Sequence, residues 1–453
     1  MGPIKGFAGE QITPDDGRYD EARTVFNAMI DRRPALIARC TGADDVALAI
    51  RYARAQALPL AVRAGGHSVA GMSLVDGGVV IDVRPMATVN IDAQRRIARC
   101  GAGATWGEFD RRTQAFGLAT TGGRVSTTGV AGLTLGGGSG WLERRFGLTC
   151  DNLIGIELVT ADGERVTATE DENPELLWAH RGGGGNFGVV TSLEFRLHEL
   201  GPMVYGGLIA FDPDDGPAVA TALRDFSVDA PDAAGVAMAY LNAPPEPFIP
   251  ADWQGRIVAG IAGMWAGPVE EGEAGLRDLL GAARPIVNLF GQIPYAEMQS
   301  LIDDPPGKRN WWTAEYIDEL PDPAVEAFCS YSERMPQSFT QSLLLPWGGA
   351  VARGADSSPL NNRDAGWVVH PFCVWDGEDR DEEHMAWGRQ GREVFAEYTT
   401  GATYLNFIGD EGPDRVRAGF GDAYDRLAAV KAAWDPDNVF RGNQNIVPVV
   451  TRA

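Results

Sequence analysis

Hydrophobic positions follow two different periods along the first half of the chain. Between Thr41 and Gln56, Val46, Ala49, Ile50 and Ala53 recur at helical spacing, and Thr41 with Asp44 reads as a capping box, so a helix is predicted. It ends before Leu60-Ala-Val-Arg63, a short strand that runs directly into Ala64-Gly-Gly-His-Ser68. Val79 to Val83 and Ile97 to Cys100, bounded by glycines, read as further strands. Glu172 to Gly188 predicts a helix closing in a glycine turn. Val189 to Leu197 then alternates as a strand, with Thr191, Leu193, Phe195 and Leu197 on one face and Ser192, Glu194 and Arg196 on the other.

After Pro202 the glycine clusters thin out while Pro, Asp and Trp become common, which places a domain boundary there. Ser338 to Leu345 and Trp367 to Trp375 read as strands of a second sheet, and Asp381 to Tyr398 as a helix. In the tail, Val416, Phe420, Tyr424 and Leu427 make one apolar helical face that stops before Asp435-Pro436.

Composition narrows the function classes. The 453 residues, 44% hydrophobic and 22% charged, suit a globular protein of two or three domains able to enclose a large ligand. The 57 glycines, with no collagen period, point to many tight turns or close approaches of backbone to something bound. A net charge of -23 argues against nucleic acid as a partner, because a phosphate backbone has to be neutralised by clustered Lys and Arg. Met1 to Glu10 does not read as a signal peptide, and no apolar run approaches the ~20 residues of a membrane span. The cysteines at 40, 100, 150, 329 and 373 form no CxxC pair and leave one over, in keeping with a reducing compartment; a cytoplasmic protein is expected.

Two strings suggest chemistry that their context opposes. Gly183-x-Gly185-x-x-Gly188 spells a dinucleotide fingerprint, but a predicted helix precedes it and a strand follows, the reverse of the order that aims a helix N-terminus at phosphate. Gly66-His67-Ser68-Val69-Ala70 is close to the nucleophile elbow of serine hydrolases, yet a glycine-rich, β-like run follows where a helix is needed. Serine hydrolysis through Ser68 stands as the alternative from another reaction class. His180, His198, His370 and His384 show no metal-ligand spacing; His370 lies in an apolar strand-like stretch and is a candidate to face a pocket. The run from Gly122 to Gly140 holds eight glycines interleaved with Val125, Val130, Leu133 and Leu135, which reads as an ordered segment with its backbone exposed to a ligand.

Taken in order, Arg63-Ala-Gly-Gly-His-Ser68, the glycine run, Gly185-Asn-Phe-Gly-Val-Val190, Tyr404-Leu-Asn-Phe407 and Asn443-Gln-Asn-Ile446 resemble the berberine bridge enzyme-like FAD-linked oxidases of the vanillyl-alcohol oxidase superfamily. The resemblance runs from about Ala35 to Ile446. It implies an α+β fold: a PCMH-type FAD-binding domain of two subdomains over 1–201, a substrate domain over 202–400 with an antiparallel sheet backed by helices, and a C-terminal element over 401–453 that returns to the FAD domain.

The resemblance also implies roles. Arg63, Ala64, Gly65, Gly66, His67 and Ser68 form the pyrophosphate loop, and bare Gly65 and Gly66 allow N–H groups to converge on an anion. His67 stands where the family's histidine bonds the flavin 8α-methyl. The cysteine that adds a second link in many members is replaced by Val125, and Cys150 is no substitute, so a single covalent bond to FAD is expected. Gly123, Thr127, Thr128, Gly129, Gly132, Leu135 and Gly138 of the glycine run, with Val190, Tyr404, Asn406 and Asn443, complete the expected cofactor contacts. The reaction implied is hydride transfer from an alcohol, sugar or secondary-metabolite substrate to flavin with molecular oxygen as acceptor, an oxygenating or ring-forming reaction being the alternative. Phe407 replaces the second tyrosine of the family's Tyr-x-Asn-Tyr motif, which leaves Tyr404 as the first candidate base, provided its phenol is shifted down, and His370 as the second. Thr128, smaller than a leucine, is expected to leave oxygen a path. The sequence specifies no substrate, metal or oligomeric state.

Overall fold

The structure, a computed structural model, describes residues 2–449. Its first glycine-rich half folds around two main sheets, with a two-stranded ribbon of Leu118–Ala119 and His198–Glu199 beside them. In the four-stranded one, Leu36–Arg39 and Leu60–Arg63 both pair parallel with Val79–Asp82, and Glu10–Ile12 adds an antiparallel edge. In the five-stranded antiparallel sheet, Val189–Arg196 lies between Ile97–Gly101 and Leu153–Val159. The expected alternation holds there: Thr191, Leu193 and Phe195 are buried and Arg196 is exposed.

Met203–Phe211 opens a nine-stranded antiparallel sheet that runs through Ile257–Trp265, Ala234–Asn242, Gln341–Pro346 and Trp367–Trp375 to Arg309–Trp312. Helices Gly216–Val228, Val269–Leu280, Asp322–Ser332 and Asp381–Phe395 cover one face. Period-two geometry sorts the residues of Trp367–Trp375: Val369, Cys373 and Trp375 pack into the helix-side core, while His370 and Phe372 face the other way. The chain is α+β, as its motifs imply.

Several boundaries differ from the sequence reading, each for a local reason. At the start of the helix Ala43–Ala55, whose N-cap is Gly42 with no side-chain cap, the carboxylate tied to Thr41 is Asp45 and not Asp44: Thr41 donates to it from its backbone N–H at 2.9 Å and its hydroxyl at 2.7 Å. Asp45 is buried and also accepts the Ala8 N–H, whereas exposed Asp44 pairs with Arg165. The helix expected over Glu172 to Gly188 is only Pro174–His180, because Gly182 and Gly184 take positive φ immediately after it. The single tail helix is two, Pro413–Phe420 and Tyr424–Trp434; Gly421, at φ +48, breaks it where a Cβ would strike the Asn361 side chain.

Candidate active site

A long cleft, with about 400 Å³ of enclosed space, lies between both glycine-rich sheets, the bare face of the large sheet and the C-terminal element. Its floor begins at the end of the strand Leu60–Arg63, where the chain turns through Ala64–Ser68. Among the described residues, the backbone N–H groups of Gly65, Gly66, His67 and Ser68 donate to nothing in the chain. Four successive free donors in one turn, with Gly66 at φ +80, make a ready seat for an anion. Gly65 and Gly129 approach so closely that a Cβ on either would strike the other's backbone, which pins this loop to the glycine run. The Asn443 Oδ1, buried and without a partner among the described residues, offers an acceptor in the same cleft. These orphaned donors and acceptors, spaced along one cleft from Gly65–Ser68 to Asn443, fit a dinucleotide with a pyrophosphate centre.

His67 stacks on Phe26 at 4.2 Å between ring centroids, with the Thr127 hydroxyl 3.0 Å from its Nε2 and the Thr128 hydroxyl 3.4 Å from its Nδ1. Burial lowers its pKa to about 4, so at neutral pH the imidazole keeps an unprotonated nitrogen. Val125 lines the cleft, and all five cysteines are buried elsewhere in the protein.

The roof comes from the large sheet. Leu343 lies opposite His370, and Phe372 opposite both Gln341 and Trp312, so one face presents an aromatic and aliphatic surface. Trp312 and Phe372 stack at 4.4 Å, and His370 stacks on Phe407 at 4.5 Å. The His370 Nδ1 lies 2.8 Å from the Thr313 carbonyl, which can only accept; Nδ1 therefore carries the proton and Nε2 keeps its lone pair. Burial pulls this imidazole down to about 4.

Tyr404 is 1% exposed, and its phenol oxygen receives the Gly138 N–H at 2.6 Å and the Asn406 Nδ2 at 3.3 Å. Both donors favour the phenolate, but burial outweighs them and raises the pKa above its ordinary value. The downward shift expected of a resting base is not present.

Comparison with known proteins agrees with this geometry. The FAD binding domain family matches residues 34–169, and the berberine and berberine-like family matches residues 403–447. An (R)-6-hydroxynicotine oxidase of Paenarthrobacter nicotinovorans is 32% identical over 97% of this chain and 97% of its own. An FAD-linked oxidoreductase of Bacillus subtilis (strain 168) is 30% identical over 98% of each. The crystal structure of 6-hydroxy-D-nicotine oxidase from Arthrobacter nicotinovorans superposes with a TM-score of 0.89 at 30% identity, covering 99% of both chains. The chain belongs to the berberine bridge enzyme-like FAD-linked oxidoreductases.

In this FAD-linked oxidoreductase most residues singled out from the sequence gather in the cleft: Ala64 to Ser68, Gly123, Val125, Thr128, Gly129, Gly132, Leu135, Val190, His370, Tyr404, Asn406 and Asn443. Three do not line it. Thr127 sits behind His67, and Gly138 behind Tyr404. The Arg63 guanidinium turns away to donate to the carbonyls of Ala22 and Thr24, and burial lowers its pKa to about 10. It fastens the loop to the N-terminal segment and does not line the cleft. Ser68 accepts the Met72 N–H at 3.2 Å and serves the turn; no helix follows it, so the elbow geometry of a serine hydrolase is absent.

The sequence reading missed Phe26, Trp312, Phe372 and Asp304, which also line the cleft. Phe372 was within reach, two positions after His370 in an alternating strand. Asp304, in the surface-like string Asp303-Asp-Pro-Pro-Gly307, carries no signal of its own.

Proposed function

We propose that this oxidoreductase carries FAD along the cleft, bonded once through His67, oxidises an apolar or aromatic-sized substrate beneath the roof sheet, and passes the electrons to molecular oxygen. The observation that carries the reading is His67, held neutral beside the free N–H groups of Gly65 to Ser68. A neutral imidazole has the lone pair needed to bond carbon, and the Thr127 hydroxyl can donate to Nε2 while Nδ1 is engaged. Val125 offers no thiol for a second bond. We divide the chain accordingly into an FAD domain to residue 201, a substrate domain to 400 and a C-terminal element that closes back on the first. The buried, unpaired cysteines support a cytoplasmic setting.

Bound FAD supplies the two-electron oxidising centre. The chain's own part is to orient the substrate, exclude water and accept the proton that leaves its heteroatom. Tyr404 holds its own proton at neutral pH, whereas His370 Nε2 has an open lone pair. We therefore assign proton acceptance to His370, and to Tyr404 the positioning of the substrate edge, its hydroxyl being fixed by Gly138 and Asn406. A lining dominated by Phe26, Trp312, Leu343, Leu345 and Phe372 suits an apolar secondary metabolite better than a sugar, whose hydroxyls would be left without partners. The kinship with an (R)-6-hydroxynicotine oxidase supports the same choice.

Purified protein should be yellow and keep its colour after acid precipitation, and digestion should give one flavin peptide, containing His67. Flavin that washes out of the denatured chain, or that appears on a cysteine, would overturn the attachment.

A further inference from the structure

We propose that Asp304 selects a positively charged substrate, so that the physiological reductant is an aromatic amine bound as its cation. This inference rests on the oxidoreductase reading above and names the substrate class of that same cleft.

Asp304 sits in the loop between the helix Tyr295–Met298 and the strand Arg309–Trp312, and its side chain lines the cleft. The loop is fixed by its neighbour: Asp303 accepts the Ser126 backbone N–H at 2.6 Å and the Ser126 hydroxyl at 2.5 Å. Ser126 lies between Val125, in the cleft wall, and Thr127, in contact with His67, so this clamp ties Asp304 to the cofactor side of the cleft. Among the described residues Asp304 has no hydrogen bond and no ion pair. Two cations of the same region are already engaged: Arg124, which also lines the cleft, pairs with Glu143 at 3.0 Å and lies over Trp141, and Lys308, four positions further along the loop, pairs with Asp376 at 2.9 Å.

A half-buried carboxylate without a partner is costly unless something cationic arrives. Burial and the adjacent Asp303 charge push its pKa up to about 7, the direction expected of a carboxylate that lacks a cation. The same cleft also presents Phe26, Trp312 and Phe372, aromatic rings of the kind whose faces attract cations. Aromatic faces plus one unpaired carboxylate make a receptor for ammonium. A sugar or neutral alcohol would leave the carboxylate unmatched.

The test is calorimetric binding of phenyltrimethylammonium and its neutral isostere tert-butylbenzene to the holoenzyme, neither of which needs to be turned over. Wild type should bind the cation at least about tenfold tighter. Asp304→Asn should abolish that preference with flavin content unchanged, and Asp304→Glu should retain it. The preference should also fade below neutral pH as Asp304 takes up a proton. Across that range His67 and His370 stay neutral, Tyr404 keeps its proton, and Arg124 and Lys308 keep their pairs. Asp303 is committed to Ser126. Equal binding of the two probes by wild type, or an unchanged preference in Asp304→Asn, would overturn the proposal. A protein without flavin absorbance would instead sink the oxidoreductase reading, and the calorimetric comparison would still decide the role of Asp304.

Discussion

The backbone N–H of Gly138 donates to the Tyr404 phenol oxygen at 2.6 Å, across 266 positions of sequence. Gly138 itself sits at φ +90, and a Cβ there would strike Thr149. The C-terminal element is thus keyed to the glycine run at the point where the cleft meets the roof. Because the oxygen already receives two N–H groups, its hydroxyl hydrogen can only point elsewhere, so Tyr404 donates to a ligand more readily than it accepts.

His370 and Tyr404 are therefore expected to separate on substitution. His370→Asn should lower the rate of flavin reduction ~100- to 10,000-fold, the usual loss for a general base. Tyr404→Phe leaves the buried Gly138 N–H unpaired, costing about 1–3 kcal/mol of stability, and should slow reduction less than about tenfold. Anaerobic stopped-flow measurement of both variants decides the matter; the reverse ranking would make Tyr404 the acceptor.

Oxygen access is expected to depend on Thr128. Its side chain lines the cleft beside His67. Reduced wild-type enzyme should reoxidise rapidly in air with release of hydrogen peroxide, and Thr128→Leu should slow that step at least about tenfold while leaving substrate reduction within a few-fold, a difference of about 1.4 kcal/mol or more in barrier. Slow wild-type reoxidation in air with fast turnover on a quinone dye would identify a dehydrogenase.

Stability should fall as pH rises through a carboxyl that does not line the cleft. Asp110, in the helix Trp106–Gln114, is 1% exposed, and its Oδ2 accepts a hydrogen bond from Gln299 Nε2 at 3.1 Å. Burial pushes its pKa up to about 7. An unfolded aspartate titrates near ~3.9, so between roughly pH 4 and 7 only the folded chain holds this proton, and stability declines by about 1.4 kcal/mol per pH unit. The contribution is fully present below the unfolded pKa and lost above the folded one. Asp110→Asn should remove that slope and raise the denaturation midpoint at pH 8; an unchanged slope would assign it to other groups.

The C-terminal element should detach when its buried charge pair is broken. Lys431 Nζ donates to Asp435 at 2.5 Å, to the Asn186 carbonyl at 2.7 Å and to the Phe440 carbonyl at 3.0 Å, while Asn186 Oδ1 accepts the Ile446 N–H at 3.0 Å. Lys431→Met strands the Asp435 carboxylate, a loss of about 3–5 kcal/mol. Limited proteolysis should then cut after Trp434 in the variant and spare the wild type.

The sequence by itself determined what is local. Glycines that permit positive φ at 66 and 138, the strand ending at Arg63 and the alternation along Val189 to Arg196 need only nearest-neighbour sterics and period-two burial, and the ordered motifs they belong to carried the resemblance to the family. Tertiary structure decided everything that depends on partners far along the chain. The Thr313 carbonyl sets the tautomer of His370 from 57 positions away, Ala22 and Thr24 draw Arg63 out of the cleft, and Ser126 holds the loop that presents Asp304. Desolvation settled which of these groups keeps a proton: it overrides the two donors on Tyr404 and lifts Asp304 toward neutrality, because burial is a property of the assembled fold and is written in no single segment.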